Sequence, residues 1–184
     1  MNFANKITIM RILLIPLFVA SIFYYRPETE FLRFLPALIF AIAIFTDAID
    51  GFIARTFRQK TPLGTILDPL ADKLLLSTAF ICLSMVEHLP LSFRIPPWVT
   101  IIVISRDFII ILGFIMIHHI KGSVEIRPTI LGKLTTFLQM MTVTGVLVQF
   151  PYSPFIWNGA AIFTILSGMD YIIIGSRMLN EKKG

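Results

Sequence analysis

The sequence predicts an all-α, polytopic membrane fold with six transmembrane helices and both termini cytoplasmic, and three observations carry that prediction. Of the 184 residues, 56% are hydrophobic and only 15% charged, and the mean hydropathy is +0.82, outside the range of soluble domains. Six apolar stretches are each long enough to cross about 30 Å of hydrocarbon as a helix. The Lys and Arg residues gather in alternate connections, as they do in short cytoplasmic loops.

The stretches run from Ile7 to Tyr25, Phe31 to Arg55, Ile66 to His88, Pro97 to Ile120, Thr129 to Phe150 and Phe155 to Leu179. They occupy most of the chain, so residues 1–184 read as one transmembrane domain. No small-residue cleavage site follows the first stretch and five more come after it, so it reads as a helix of the mature protein. An organelle transit peptide would be rich in Arg and Ser, which this N-terminus is not; a bacterial cytoplasmic membrane is expected. Cys82, inside the third stretch, is the only cysteine, which excludes an intrachain disulfide. Pro and Gly cluster where the stretches end.

Orientation follows from charge. Lys6 and Arg11 lie at the first end, Arg55, Arg58 and Lys60 between the second and third stretches, and Lys121, Arg127 and Lys133 between the fourth and fifth. Arg177, Lys182 and Lys183 close the chain, whereas the opposite connections hold only Arg26, Arg33 and Arg94. The net charge of +5 therefore concentrates on the cytoplasmic face, which suits anionic lipid head groups and phosphate-bearing substrates. The basic residues are divided among short loops rather than gathered on a domain, so no nucleic-acid partner is expected.

Ionisable residues inside membrane spans are costly and mark functional sites by default. Asp47 and Asp50, three apart, and Asp68 and Asp72, four apart, each occupy one face of a predicted helix near its cytoplasmic end. The short connection from Thr56 to Leu63 makes the two helices antiparallel neighbours and would bring the four carboxylates together. Like charges so close raise one another's pKa, and divalent cations would keep them ionised. Oxygen-only ligands suit Mg²⁺ or Mn²⁺, and no Cys/His set suggests zinc. His88, His118 and His119 fall at span ends as interfacial polar residues. Two other readings of the aspartates stand beside the metal site: structural ion pairs with Arg55 and Lys73, and proton-relay carboxylates of a transporter, which would more naturally lie near the midplane.

Asp47, Asp50, Gly51, Ala54, Arg55, Gly64, Asp68 and Asp72 spell D-x2-D-G-x2-A-R-x8-G-x3-D-x3-D, which is the signature of the CDP-alcohol phosphotransferase family. With each position matching at roughly one in twenty, the chance per starting point is on the order of 10⁻¹⁰. Asn5, Thr8 and Arg11 resemble the opening N-x2-T-x2-R of the family's glycerophosphate branch, and Gly132, Lys133, Thr136, Gln139 and Met140 resemble its fifth span. In the last span, Asp170 and Tyr171 add the little that remains of the likeness.

The resemblance implies a membrane enzyme that moves a phosphatidyl group from CDP-diacylglycerol to an alcohol and releases CMP, with two divalent metals and a homodimeric assembly. It implies that Asp47, Asp50 and Asp68 are metal ligands, and that Asp72 binds the second metal and accepts the acceptor's hydroxyl proton. Gly51, Ala54 and Gly64 would border the cytidine and pyrophosphate, with Arg55 neutralising phosphate charge; the small residues alone would equally suit close helix packing. Such chemistry needs positioning and charge neutralisation above all. A lipid donor keeps its acyl chains in the bilayer and its nucleotide in water, and the aspartates are expected at that boundary.

For the acceptor, the family's pocket lies around the fourth and fifth spans, which implicates Arg106, Arg127 and Lys133 and an anionic alcohol. Each has a plainer reading: Arg106 pairing with Asp107 or a motif aspartate, Arg127 as a solvated loop charge, and Lys133 snorkelling to the interface. The GKLTTFLQM segment resembles the phosphatidylglycerophosphate synthases, whose acceptor is glycerol 3-phosphate, and this acceptor is preferred for its greater charge. Ile104, Ser105, Arg106 and Asp107, together with Arg127, Pro128 and Thr129, resemble instead the eukaryotic-type cardiolipin synthases, whose acceptor is phosphatidylglycerol.

Overall fold

The computed structural model describes the backbone over residues 3–24, 34–56, 62–87, 90, 93–121 and 129–180. Side chains are described over the same residues apart from 3–9, 47–56, 62–72, 114, 118, 120–121 and 179–180. Among the described residues there are six helices: α1 (Phe3–Tyr24), α2 (Phe34–Thr56), α3 (Pro62–Met85), α4 (Pro97–Lys121), α5 (Ile130–Leu147) and α6 (Ser153–Asn180). No strand occurs among the described residues.

The helix boundaries follow local chemistry. Proline begins α3 and α4, where its missing N–H would have had no partner in any case. Thr129 caps α5: its backbone is extended, and its Oγ1 accepts the Gly132 N–H at 3.0 Å. At the other end of α5, Gln149 takes a left-handed φ of 55°, and the Phe150 N–H returns to the Gly145 carbonyl at 2.8 Å. That tight turn launches α6 in the opposite direction. The third expected stretch begins four residues early, at Pro62, because the polar residues that broke the apolar run do not break the helix.

Three helices are long and apolar enough to cross a membrane, over Pro97–Ile117, Ile130–Leu147 and Ser153–Met178. Shorter apolar helical runs cover Met10–Tyr24, Phe34–Thr46 and Lys73–Met85. Large apolar side chains also face outward on α1, α2, α4 and α6, among them Leu13, Phe45, Ile101 and Phe155. Water would not tolerate so continuous an apolar exterior, whereas acyl chains would; these are the surfaces of a membrane protein.

α1 packs on α2 and α3, α3 also on α4 and α5, and α6 closes against α4 and α5. The core where they meet includes Phe18, Phe40, Phe80, Leu83, Val99 and Val143, all at most 1% exposed. Interhelical hydrogen bonds set the register. The Thr100 hydroxyl donates to the Phe80 carbonyl across α4 and α3, Thr135 to the Phe163 carbonyl across α5 and α6, and Gln139 Nε2 to Thr164 Oγ1. In hydrocarbon each such bond is worth on the order of 0.6 kcal/mol, since the separated helices also find partners. The contacts Lys73–Asp107 and Thr100–Phe80 make α3 and α4 antiparallel, and the close approaches of Gly132 to Tyr171 and of Gly145 to Ser153 make α5 and α6 antiparallel. As a result, the beginnings of α3 and α5 share one end of the bundle with the ends of α4 and α6.

Candidate active site and its cation-lined cavity

At that shared end lies a cavity of about 430 Å³, bordered by Lys73 of α3, Arg106 and Ile110 of α4, Gly132, Lys133, Thr136, Phe137 and Met140 of α5, and Tyr171 of α6. Its volume falls within the range of small-molecule sites. Ile110, Phe137 and Met140 supply apolar lining, and the three cations come from three helices.

Arg106 is buried, and its guanidinium is held on several sides. Nη1 donates to Asp107 Oδ1 at 2.7 Å, Nη2 donates to Ser167 Oγ at 2.9 Å, and the group lies over the Tyr171 ring at 5.5 Å from its centroid. Nε has no hydrogen-bond partner among the described residues. A buried donor left over in a polar site is what an anion or a water would satisfy. Asp107 Oδ1 also accepts from Lys73 Nζ at 3.4 Å, so one carboxylate bridges α3 and α4. The plainer expectation for Arg106, a pair with Asp107, is therefore met, and it coexists with a place on the cavity wall. Lys133 differs. It is exposed, and its side chain has no hydrogen-bond or ion-pair partner among the described residues, so its full charge faces the cavity.

Gly132 is required by contact rather than by backbone angle. A Cβ there would stand 2.9 Å from Tyr171 Oη and 3.2 Å from Thr129 Oγ1. Tyr171 packs against the bare backbone and accepts a long hydrogen bond from the Thr129 N–H at 3.4 Å. Four of the five α5 residues singled out from the sequence, Gly132, Lys133, Thr136 and Met140, line the cavity. The fifth, Gln139, turns to α6 instead.

The motif residues divide between two helices. Asp47, Asp50, Gly51, Ala54 and Arg55 fall in the last turns of α2, and Gly64, Asp68 and Asp72 in the first half of α3; their side chains lie outside the described residues. Asp72 directly precedes Lys73, so the motif and the cavity share a turn of α3. Arg127 lies outside the described residues, as do the side chains of Asn5 and Thr8, while Arg11 is buried in α1. Among the described residues no three His, Cys, Asp or Glu side chains gather to hold a metal.

Two contributors to the cavity were not legible as such. Lys73 reads in sequence as a counter-ion for the aspartates beside it, yet its ammonium crosses to Asp107 on another helix. Tyr171 stands out in the sequence only as part of the family likeness, which gives no sign that its ring packs on Gly132 of α5.

The structure is that of a helical membrane protein whose α2 and α3 carry the aspartate motif and whose α3, α4 and α5 place three cations around one cavity, and the comparison with known families gives its class. The model of the CDP-alcohol phosphatidyltransferases matches residues 1–168, and the chain belongs to that family. It is similar, at 35% identity over 187 residues, to the CDP-diacylglycerol–glycerol-3-phosphate 3-phosphatidyltransferase of Bacillus subtilis (strain 168), with 92% of this chain and 93% of that one covered. The protein of the same name from Escherichia coli (strain K12) is 32% identical over 183 residues, covering 93% of each chain. A probable phosphatidylglycerophosphate synthase of Mycobacterium tuberculosis (strain ATCC 25618 / H37Rv) is 32% identical over 178 residues, covering 93% of this chain and 80% of its own.

Proposed function

We propose that the protein transfers the phosphatidyl group of CDP-diacylglycerol to glycerol 3-phosphate, forming phosphatidylglycerophosphate and CMP, at the cytoplasmic face of a bacterial membrane. Family membership and the names of its relatives support the donor and the reaction. The observation that carries the acceptor is the charge of the cavity. Among the described side chains there, Lys73, Arg106 and Lys133 set against Asp107 leave two net positive charges. A phosphomonoester, with about −1.5 to −2 at neutral pH, matches that balance better than the single charge of a phosphodiester such as phosphatidylglycerol.

In this reading Gly51, Ala54 and Gly64 border the nucleotide, and Arg55 offsets charge on its pyrophosphate. Asp47, Asp50, Asp68 and Asp72 offer oxygen donors alone, a set that fits Mg²⁺ or Mn²⁺. Held there, a pair of such ions would supply charge neutralisation at the attacking and leaving oxygens. Lys133 and Arg106, with Arg127 from the connection before α5, bind the acceptor's phosphate and aim its free hydroxyl. Asp72 takes the hydroxyl proton as that oxygen bonds to the phosphorus bearing diacylglycerol; the bond from this phosphorus to the CMP oxygen breaks, and CMP leaves. The antiparallel α3/α4 and α5/α6 hairpins support six crossings with both termini cytoplasmic, and a homodimer is part of the same reading.

The test is product analysis. Purified protein in mixed micelles is given labelled CDP-diacylglycerol with glycerol 3-phosphate, phosphatidylglycerol, serine or inositol. Phosphatidylglycerophosphate and stoichiometric CMP are expected with glycerol 3-phosphate. Cardiolipin from phosphatidylglycerol, with glycerol 3-phosphate ignored, would overturn the assignment of the acceptor.

A further inference from the structure

A carboxylate is out of place beside a cavity that receives an anion. Asp107 is only 6% exposed, lies within a span where a buried charge is costly, and would repel an incoming phosphate. Its partners account for it. A single oxygen, Oδ1, receives Arg106 Nη1 at 2.7 Å and Lys73 Nζ at 3.4 Å, so the two cationic nitrogens stand no more than about 6 Å apart. Without Asp107 they would repel each other across the α3/α4 contact. Each would then move toward solvent or toward other acceptors.

Resting on the acceptor site proposed above, we propose that Asp107 is a positioning residue for the acceptor: it holds Lys73 and Arg106 as one phosphate-facing pair. Because Lys73 follows Asp72, the same bridge ties the acceptor's anion site to the turn of α3 that carries the motif. Asp107 touches neither substrate. It acts through its two cations, and Ser167 assists by holding Nη2 of the same guanidinium at 2.9 Å.

Steady-state kinetics test this on the full chain in micelles, with glycerol 3-phosphate and CDP-diacylglycerol varied separately. Asp107→Asn is expected to raise the KM for glycerol 3-phosphate roughly 10-fold or more, as loss of a charge-assisted contact does, while the KM for the donor stays within about 2-fold. Asp107→Glu, which restores the charge, should recover most of the loss. In a cycle with Lys73→Met, the double variant should lose less than the product of the two single losses, because both break one bridge. Ser167→Ala removes a neutral partner and no charge. It should raise the acceptor KM about 3-fold, and it reads the same positioning if Asp107→Asn does not fold. An acceptor KM unchanged in both Asp107→Asn and Ser167→Ala, or a lowered melting temperature with both KM values intact, would overturn the proposal. Wild-type protein that makes no product from glycerol 3-phosphate would instead overturn the assigned acceptor.

Discussion

Replacing Gly132 by alanine sets two effects of similar size against each other, and the structure decides between them. Gly132 stands in the first turn of α5, where alanine is favoured over glycine by at most about 0.8–1 kcal/mol, the value of a helix interior. The added Cβ, however, would lie 2.9 Å from Tyr171 Oη and 3.3 Å from Cε2, so the ring must retreat about 0.5 Å to reach an ordinary contact of 3.4 Å. Tyrosine is stiff, and this ring is also engaged with Arg106 and Thr129. Overpacking of this kind costs about 1–3 kcal/mol, so a net loss on the order of 1 kcal/mol is expected. The displaced ring would loosen Arg106, and the KM for glycerol 3-phosphate should rise several-fold. Thermal unfolding in detergent and CMP release against acceptor concentration measure the two effects. Adding Tyr171→Phe removes the oxygen responsible for the closest contact and should return much of the stability. A Gly132→Ala protein that is more stable than wild type, with an unchanged acceptor KM, would show that the ring yields freely and would refute the reasoning.

Three other outcomes are expected. Lys133→Ala removes the cation with no partner among the described residues, so it should raise the acceptor KM roughly 10-fold with little loss of melting temperature; a large fall in melting temperature would mean that the residue is structural. Thr129→Ala deletes the α5 cap and should cost about 1 kcal/mol of stability, seen as an earlier thermal transition. Chelation of divalent cations should stop CMP release, and Asp68→Asn should shift the Mg²⁺ or Mn²⁺ activation curve to higher concentration as well as lower the rate. Full turnover in chelator, or an unshifted activation curve, would count against the aspartate assignment.

Most of the architecture was legible because a membrane imposes it. Hydrocarbon accepts a backbone only when its polar groups are bonded within the segment, so a long apolar run has one available structure; among the described residues each of the six runs falls on a helix, three of them long and apolar enough to cross a membrane. The motif was legible for another reason: its eight positions form a local pattern within two helices and one connection, and the family match bears it out. Even Gly132 and Lys133 could be picked out, since the GKLTTFLQM segment resembles the family's fifth span and lies on a single helix.

Contacts between helices could not be read in this way. Hydrophobic periodicity identifies a buried face but not its neighbour, and Lys73 offers no sign that it reaches Asp107 thirty-four residues away rather than the carboxylates beside it. Nor does a tyrosine in the last span announce that it fills the space left by a glycine in the fifth. The sequence by itself determined the fold class, the reaction family and the aspartate motif, because these depend on composition and on spacing within helices. Only the tertiary structure decided which cations share a cavity and which carboxylate pairs with two of them. Those depend on the register between helices, which is set by side-chain packing and a few hydrogen bonds such as those of Thr100, Thr135 and Gln139.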